Sequence, residues 1–128
     1  MAKEHTLMQK LLKNLNKKTI MTVTCAAGNT IIQVLAQNNQ NFIVSTGIAG
    51  FKGAKRSTPQ AAQDSAQIAG KKLRERKLRK IILIFKGLSR TRKSVLKGLK
   101  KRHVIIERIL DKTSIAHNGC RAKKRRRK

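Results

Sequence analysis

The stretch with the most chemical potential is Ser45–Pro59, STGIAGFKGAKRSTP, in which Gly47, Gly50 and Gly53 are interleaved with Lys52, Lys55 and Arg56. Glycine lets backbone amides approach an anion closely, and the neighbouring cations neutralise it. Thr58-Pro59 then forms a helix start, because Thr caps free amides and Pro fits the first helical position. The amides of that first turn add further attraction for an anion. This is not the phosphate loop of nucleotide hydrolases, since no Gly-Lys-Ser/Thr follows. Nor is it the dinucleotide fingerprint, because its glycines stand three apart. The expected chemistry is contact with phosphate, through Lys52, Lys55, Arg56, Ser57 and Thr58.

Catalysis finds little to use in the remaining residues. The five acidic residues are Glu4, Asp64, Glu75, Glu107 and Asp111, and their spacing builds neither an acid/base couple nor a metal cage. Cys25 and Cys120 cannot make a disulfide framework, and they suit a reducing compartment. His117 and Cys120 have a spacing that could share a metal, but His5, His103 and Cys25 are scattered, so no zinc site is expected. The sequence therefore implies no enzyme, no cofactor and no small-molecule substrate.

Charge points instead to a polyanion. The chain has 128 residues with 32 Lys and Arg against 5 Asp and Glu, a net charge of +27. Solubility needs only about 2–8 charges on a small domain. Repulsion among the surplus disfavours a compact free state, whereas each cation meeting a phosphate releases condensed counterions. Aromatic residues make up 2%, with no Trp or Tyr. Readers of single strands stack bases on aromatic rings, so the composition favours recognition of folded RNA through phosphates and shape. There is no apolar run long enough to span a membrane, and the N-terminal stretch lacks the form of a secretory signal.

The elements that must position these residues are legible in the hydrophobic pattern. Thr19–Ala26 and Thr30–Ala36 are strands joined by Gly28-Asn29, both of which tolerate positive φ, and Phe42–Thr46 is a third strand. After the glycine loop, Ala62, Ala66, Ala69 and Leu73 form a helical stripe of small residues. Lys71, Lys72, Arg74, Arg76 and Lys77 crowd the end of that helix. Lys80–Lys86 is a buried central strand, Ser94–Arg102 a half-basic helix, and His103–Leu110 the last strand. The order is β-β-β-α-β-α-β: an α/β domain over 19–111 with one mixed five-stranded sheet. Residues 1–18 form an extension, in which Leu7, Met8, Leu11, Leu12 and Leu15 share a face at helical spacing. Residues 112–128 form a basic tail, with seven of the last eight residues Lys or Arg. That tail is expected to stay disordered until it meets RNA.

Three stretches resemble one family. Thr46–Gln63, TGIAGFKGAKRSTPQAAQ, is similar to the signature loop and helix start of the bacterial-type small-subunit ribosomal protein S-eleven family. Asp111–Lys128 resembles its C-terminal tail, with His117-Asn118-Gly119-Cys120-Arg121 intact, and Asn29-Thr30-Ile31-Ile32 resembles its first hairpin. The resemblance runs from about Thr19 onward. It implies a single three-layer domain of ribonuclease-H-like type, without catalysis. It also implies a place on the platform of the small ribosomal subunit, among ribosomal RNA and neighbouring proteins, near the messenger's exit path.

Carried over by position, the RNA contacts are Asn29, Lys52, Lys55, Arg56, Ser57 and Thr58, with His117, Asn118, Arg121, Lys123, Lys124, Arg125, Arg126, Arg127 and Lys128 in the tail. After Lys86-Gly87 the family has a Gly-Pro-rich loop, whereas this chain has Leu88–Arg92, LSRTR. Side-chain contacts from Lys86, Arg90, Arg92 and Lys93 are expected to substitute there. The tail holds Ser114, Ala116 and Ala122 where the family has prolines, and the N-terminal segment is not the family's basic arm. This divergence points to an organellar ribosome, with the mitochondrial matrix favoured over the bacterial cytoplasm or the chloroplast.

Overall fold

A computed structural model describes residues 18–36, 40–78 and 80–127. The strands are β1 (Thr19–Cys25), β2 (Thr30–Leu35), β3 (Phe42–Ser45), β4 (Lys80–Lys86) and β5 (Ile105–Asp111). A short 3-10 turn spans Gly53–Ser57, followed by α1 (Pro59–Glu75), and α2 (Thr91–Lys101) lies between β4 and β5. The five strands form one sheet in the order β3-β2-β1-β4-β5. β2 runs antiparallel to both β1 and β3, while β4 runs parallel to both β1 and β5. This is the mixed α/β sheet that the pattern of apolar runs requires. The leucine-bearing N-terminal segment lies outside the described residues, as does Lys128.

Burial alternates as a sheet covered on one face demands. Met21, Val23 and Cys25 of β1, and Ile32 and Val34 of β2, are buried; Ile31, Gln33 and Leu35 between them are exposed. β4 is buried at all five positions from Ile81 to Phe85, as its unbroken apolar run implied, and it sits between two parallel neighbours. Both helices pack on the same face. Ala62, Ala66, Ala69 and Leu73 of α1 join Val95 and Leu99 of α2 in one cluster over Met21, Leu83 and Phe85. The two crossovers, β3 to β4 and β4 to β5, advance in the same direction between parallel strands, so right-handed connections bring both helices to one side. The third layer implied by the resemblance is not among the described residues.

Small residues set the distance between the helices. A Cβ added at Gly98 of α2 would lie 2.5 Å from the Gln63 carbonyl oxygen and 2.7 Å from the Ala66 Cβ of α1. The alanine stripe thus serves α2 as well as the sheet. Both helices end in the same hydrogen-bonded cap. Leu78 N–H donates to the Leu73 carbonyl (2.9 Å) and Lys77 N–H to that of Arg74 (3.0 Å). Val104 and His103 repeat the pattern onto Leu99 (3.4 Å) and Lys100 (3.0 Å). Lys77 and His103 take φ of 59° and 55°, the left-handed region usually given to glycine.

Two local expectations change. Gly28 and Asn29 are not among the positive-φ residues; the hairpin closes instead with Ala26 N–H donating to the Asn29 carbonyl (3.0 Å). α2 begins at Thr91 rather than Ser94, because Ser89 opens it: its carbonyl accepts from Arg92 N–H, and its Oγ from Thr91 N–H, both at 3.4 Å.

Gly98→Ala is expected to destabilise the domain by about 1–3 kcal/mol, since the new methyl meets backbone that cannot yield. Thermal unfolding of the two proteins measures it. Lys77→Gly is expected to raise stability, by up to about 1 kcal/mol, through relief of the left-handed residue.

Candidate nucleic-acid interface

In an open sheet with parallel strands, the loops beyond the strand carboxyl ends come together and form the site. Here that end gathers the β1–β2 hairpin with Asn29, the glycine loop after β3, the start of α1, Lys86 and the loop after β4, the start of α2, and the root of the tail. Lys52, Lys55 and Arg56 in the first half, and Lys86, Arg90 and Lys93 in the second, are thereby brought to one pole, all exposed. A groove of about 620 Å³ runs between them, lined by Cys25 and Ala27, Ser57 and Pro59, and Leu88 to Thr91. The N-termini of both helices open onto it, and their partial positive charge suits an anion.

The glycine loop is held by its own polar groups. Thr58 Oγ1 accepts from Ala61 N–H (3.3 Å), the cap expected from Thr-Pro, and donates to the Lys55 carbonyl (2.7 Å). Ser57 Oγ donates to the Ala54 carbonyl (2.7 Å). Arg56 Nε donates to the Phe51 carbonyl (3.1 Å), and its guanidinium lies over Gly47. Ser57 and Thr58 therefore shape the loop, while Lys52 and Lys55 stand exposed from it.

Asn29 has a similar structural part. Its Oδ1 accepts from Thr30 N–H (2.9 Å) and from the hydroxyl of buried Thr46. Thr30 in turn donates to Thr91 Oγ1 (3.3 Å), and all three threonines are at most 2% exposed. This buried hydroxyl chain ties the hairpin, the glycine loop and α2 into one platform. The sequence reading missed it, because lone threonines in strand-like runs carry no distinguishing signal.

Arg92 is the second tie. Its Nε donates to the Gly87 carbonyl (2.7 Å), Nη1 to Asp111 Oδ2 (2.8 Å), and Nη2 to Thr113 Oγ1 (2.8 Å) and Asp111 Oδ1 (3.3 Å). The guanidinium also lies 5.4 Å from the Phe85 ring centroid. With these donors committed inside the protein, Arg92 anchors the tail, and the exposed cations beside it are Arg90 and Lys93. Gly87 is fixed in place: its φ is 93°, and an added Cβ would sit 2.2 Å from the Cys25 carbonyl oxygen. Lys112 N–H donates to the Phe85 carbonyl (2.9 Å), after which residues 114–127 carry no helix or strand and are exposed. The pole thus holds the root of the tail, whereas His117, Asn118, Arg121 and the cations from Lys123 to Arg127 extend from it. The Asp111-x-Thr113 spacing was the missed signal, since Asp readily accepts from the amide two residues on.

The electrostatics follow the contacts. Hydrogen bonds from Arg92, then from the Thr113 side chain and amide, pull the Asp111 carboxyl down to about 2. Burial pushes the Cys25 thiol up, against a hydrogen bond with Thr91 and the charge of Arg92. Among the described residues no three His, Cys, Asp or Glu side chains cluster as a metal site, and no helix is long and apolar enough to cross a membrane.

An α/β scaffold that turns one pole of loops, helix N-termini and cations outward offers a surface suited to a polyanion. The family model described as ribosomal protein S11 matches residues 18–127, and the chain belongs to that family, whose members are structural components and not enzymes. It is 38% identical to small ribosomal subunit protein uS11m of Prototheca wickerhamii, over 87% of this chain and 88% of that one. Identity is also 38% to small ribosomal subunit protein uS11 of Methylorubrum populi, over 99% of both chains. To small ribosomal subunit protein uS11c of Oltmannsiellopsis viridis it is 40%, over 85% of this chain and 77% of that one.

Asp111 is expected to titrate near 2 in the native protein and to move up towards its ordinary value of 3.8 in Arg92→Met, by carboxyl NMR. Because folding depresses this group, its stabilising share is present above the unfolded pKa and is lost as pH falls through about 2. An unchanged Asp111 midpoint in the variant would contradict the anchoring role of Arg92.

Proposed function

We propose that this protein is a structural constituent of the small ribosomal subunit that binds ribosomal RNA in the platform region, close to the messenger's exit path, and so supports assembly and translation. The observation that carries the reading is the convergence of the glycine-loop cations, both helix N-termini and the tail root at one pole, in a chain of this family. Lys52, Lys55, Arg56, Lys86, Arg90 and Lys93 meet backbone phosphates there, Asn29, Ser57 and Thr58 keep the loops in shape, and the tail from His117 to Lys128 threads between RNA segments.

The loops contain no aromatic stacking platform: Phe42 and Phe85 lie in strands, and Phe51 is the one ring in the pole's loops. Recognition therefore rests on phosphate position and RNA shape. The exposed isoleucines and leucine of the open sheet face, Ile31, Leu35 and Ile43, suit neighbouring subunit proteins better than phosphates. The compartment proposed is the mitochondrial matrix. The three relatives named above come from mitochondrial, chloroplast and bacterial ribosomes alike, so support for the matrix comes from the divergence of the LSRTR loop and of the N-terminal segment.

Lys52→Gln/Lys55→Gln/Arg56→Gln is expected to lower the salt slope of binding to small-subunit RNA by about 2, at 0.7–0.9 per lost phosphate contact. Truncation after Ile115 removes seven cations and is expected to lower it by about 5. Filter binding across a salt series measures both. Unchanged slopes in the two variants, or a cellular protein that sediments wholly outside small subunits, would reject the reading.

A further inference from the structure

The charge that the pole described above does not use is gathered at the opposite end of the molecule. Both helices run antiparallel to the parallel strands, so their C-termini lie together, far from the glycine loop. That end carries Lys71, Arg74 and Lys77 from α1 and Lys100, Lys101 and Arg102 from α2. The side chains of these six make no ion pair or hydrogen bond with another described residue. Lys72 and Arg76 are set apart from them: both lie over the Phe42 ring, and Arg76 also donates to the Gln40 carbonyl. Glu75 is the one carboxylate within the group, and Glu107 of β5 is already paired with Lys18 at 2.7 Å.

Cations at helix C-termini ordinarily offset the helix dipole. Two helices present about half a negative charge each, so roughly one cation suffices and most of the six remain uncompensated. They are also arranged rather than scattered. Gly70 lets the Arg102 stem lie directly on α1, where an added Cβ would come within 2.8 Å of it. Arg102 then borders two hollows, one of about 190 Å³ shared with Arg74 and His103, the other of about 330 Å³ shared with Lys71 and Arg74. Its Nε is buried without a hydrogen-bond partner, so the fold itself supplies no acceptor there.

From this geometry we infer a second RNA-backbone contact at the C-terminal ends of α1 and α2, so that the protein bridges two separate RNA segments. The inference rests on the ribosomal RNA reading above. α1 has 17 residues, which separates the poles by on the order of 25 Å at 1.5 Å per residue. That exceeds the Debye length of about 8 Å at physiological salt, so the two poles bind as independent polycations. An RNA backbone fits this end better than an acidic protein segment does, because six cations from the two helix ends outnumber Leu78, Val104 and Ile105, the apolar residues that line the hollow between them.

The test is Lys71→Gln/Arg74→Gln/Lys100→Gln/Lys101→Gln in the full chain, all four positions being exposed. The expected result is binding to small-subunit RNA that persists through the glycine-loop pole, with a salt slope lower by about 3. In the wild-type complex, Lys71, Lys100 and Lys101 should be protected from a lysine-acylating reagent by RNA alone. This second measurement stands whether or not the variant folds. A folded variant with the wild-type slope, together with unprotected lysines, overturns the second contact while leaving the first pole intact. Lysines protected only when subunit proteins are added overturn it in favour of a protein neighbour. A wild-type chain that does not bind the RNA at all overturns both readings.

Discussion

Two right-handed crossovers advancing in one direction across a sheet must put their helices side by side on one face. The close approach of α1 and α2 is the constraint on which the rest of this molecule depends. It needs a surface without bulk, and the chain provides one with Ala66 against Gly98, Ala62 and Ala69 on the same buried stripe, and Gly70 beneath Arg102. The same geometry aligns both helix N-termini at the carboxyl ends of the strands and both C-termini at the other end. Packing of small residues in the core thus decides where the positive and negative dipole ends stand, and with them the electrostatic polarity of the whole surface.

A net charge of +27 weighs against any compact state of 128 residues. The domain answers by keeping cations out of its centre. Its buried cluster is wholly apolar, and the buried polar residues are Thr and Ser. Of the described cations, Arg92 is the one drawn into a network of hydrogen bonds, and it gains Asp111, Thr113 and a carbonyl in return. Most of the other positive side chains stay in water, where salt screens their repulsion and contact with phosphate would remove it.

Much of this was legible from residue types, and the exceptions have physical causes. The unbroken run Lys80–Lys86 pointed to a buried central strand and Thr58-Pro59 to a helix start, and both elements form there. Thr46–Gln63 and the His117–Arg121 motif carried the family, which the match over residues 18–127 bears out. The start of α2 was displaced because Ser89, rather than Ser94, supplies the first acceptors, and two serines five residues apart look alike in a sequence. The turn at Gly28-Asn29 forms where expected but without positive φ, because residues that tolerate that region need not adopt it. Arg92, expected as an RNA contact, has in addition a structural role that its residue type did not announce. Its pairing depends on Asp111, a residue 19 positions away that only the β4–β5 register brings alongside.

That pairing also fixes the root of a strongly basic tail that has no helix or strand of its own. A polycationic strand with no core of its own loses conformational entropy when it orders on RNA, and this reduces its affinity. Fixing its first residues lowers the loss and sets the direction in which the rest extends. Lys112 continues the β5 ladder onto Phe85, and Thr113 hydrogen-bonds with Arg92 and receives the Gly87 amide. The anchor is placed beside the groove into which α1 and α2 point their N-termini. In the proposed RNA complex, a tail tethered there would meet phosphates already held by the folded domain, so the second event would be effectively intramolecular and gain from a high local concentration. On that reading the folded pole sets where the RNA lies, and the tail adds charge along the path that its Arg92 anchor allows.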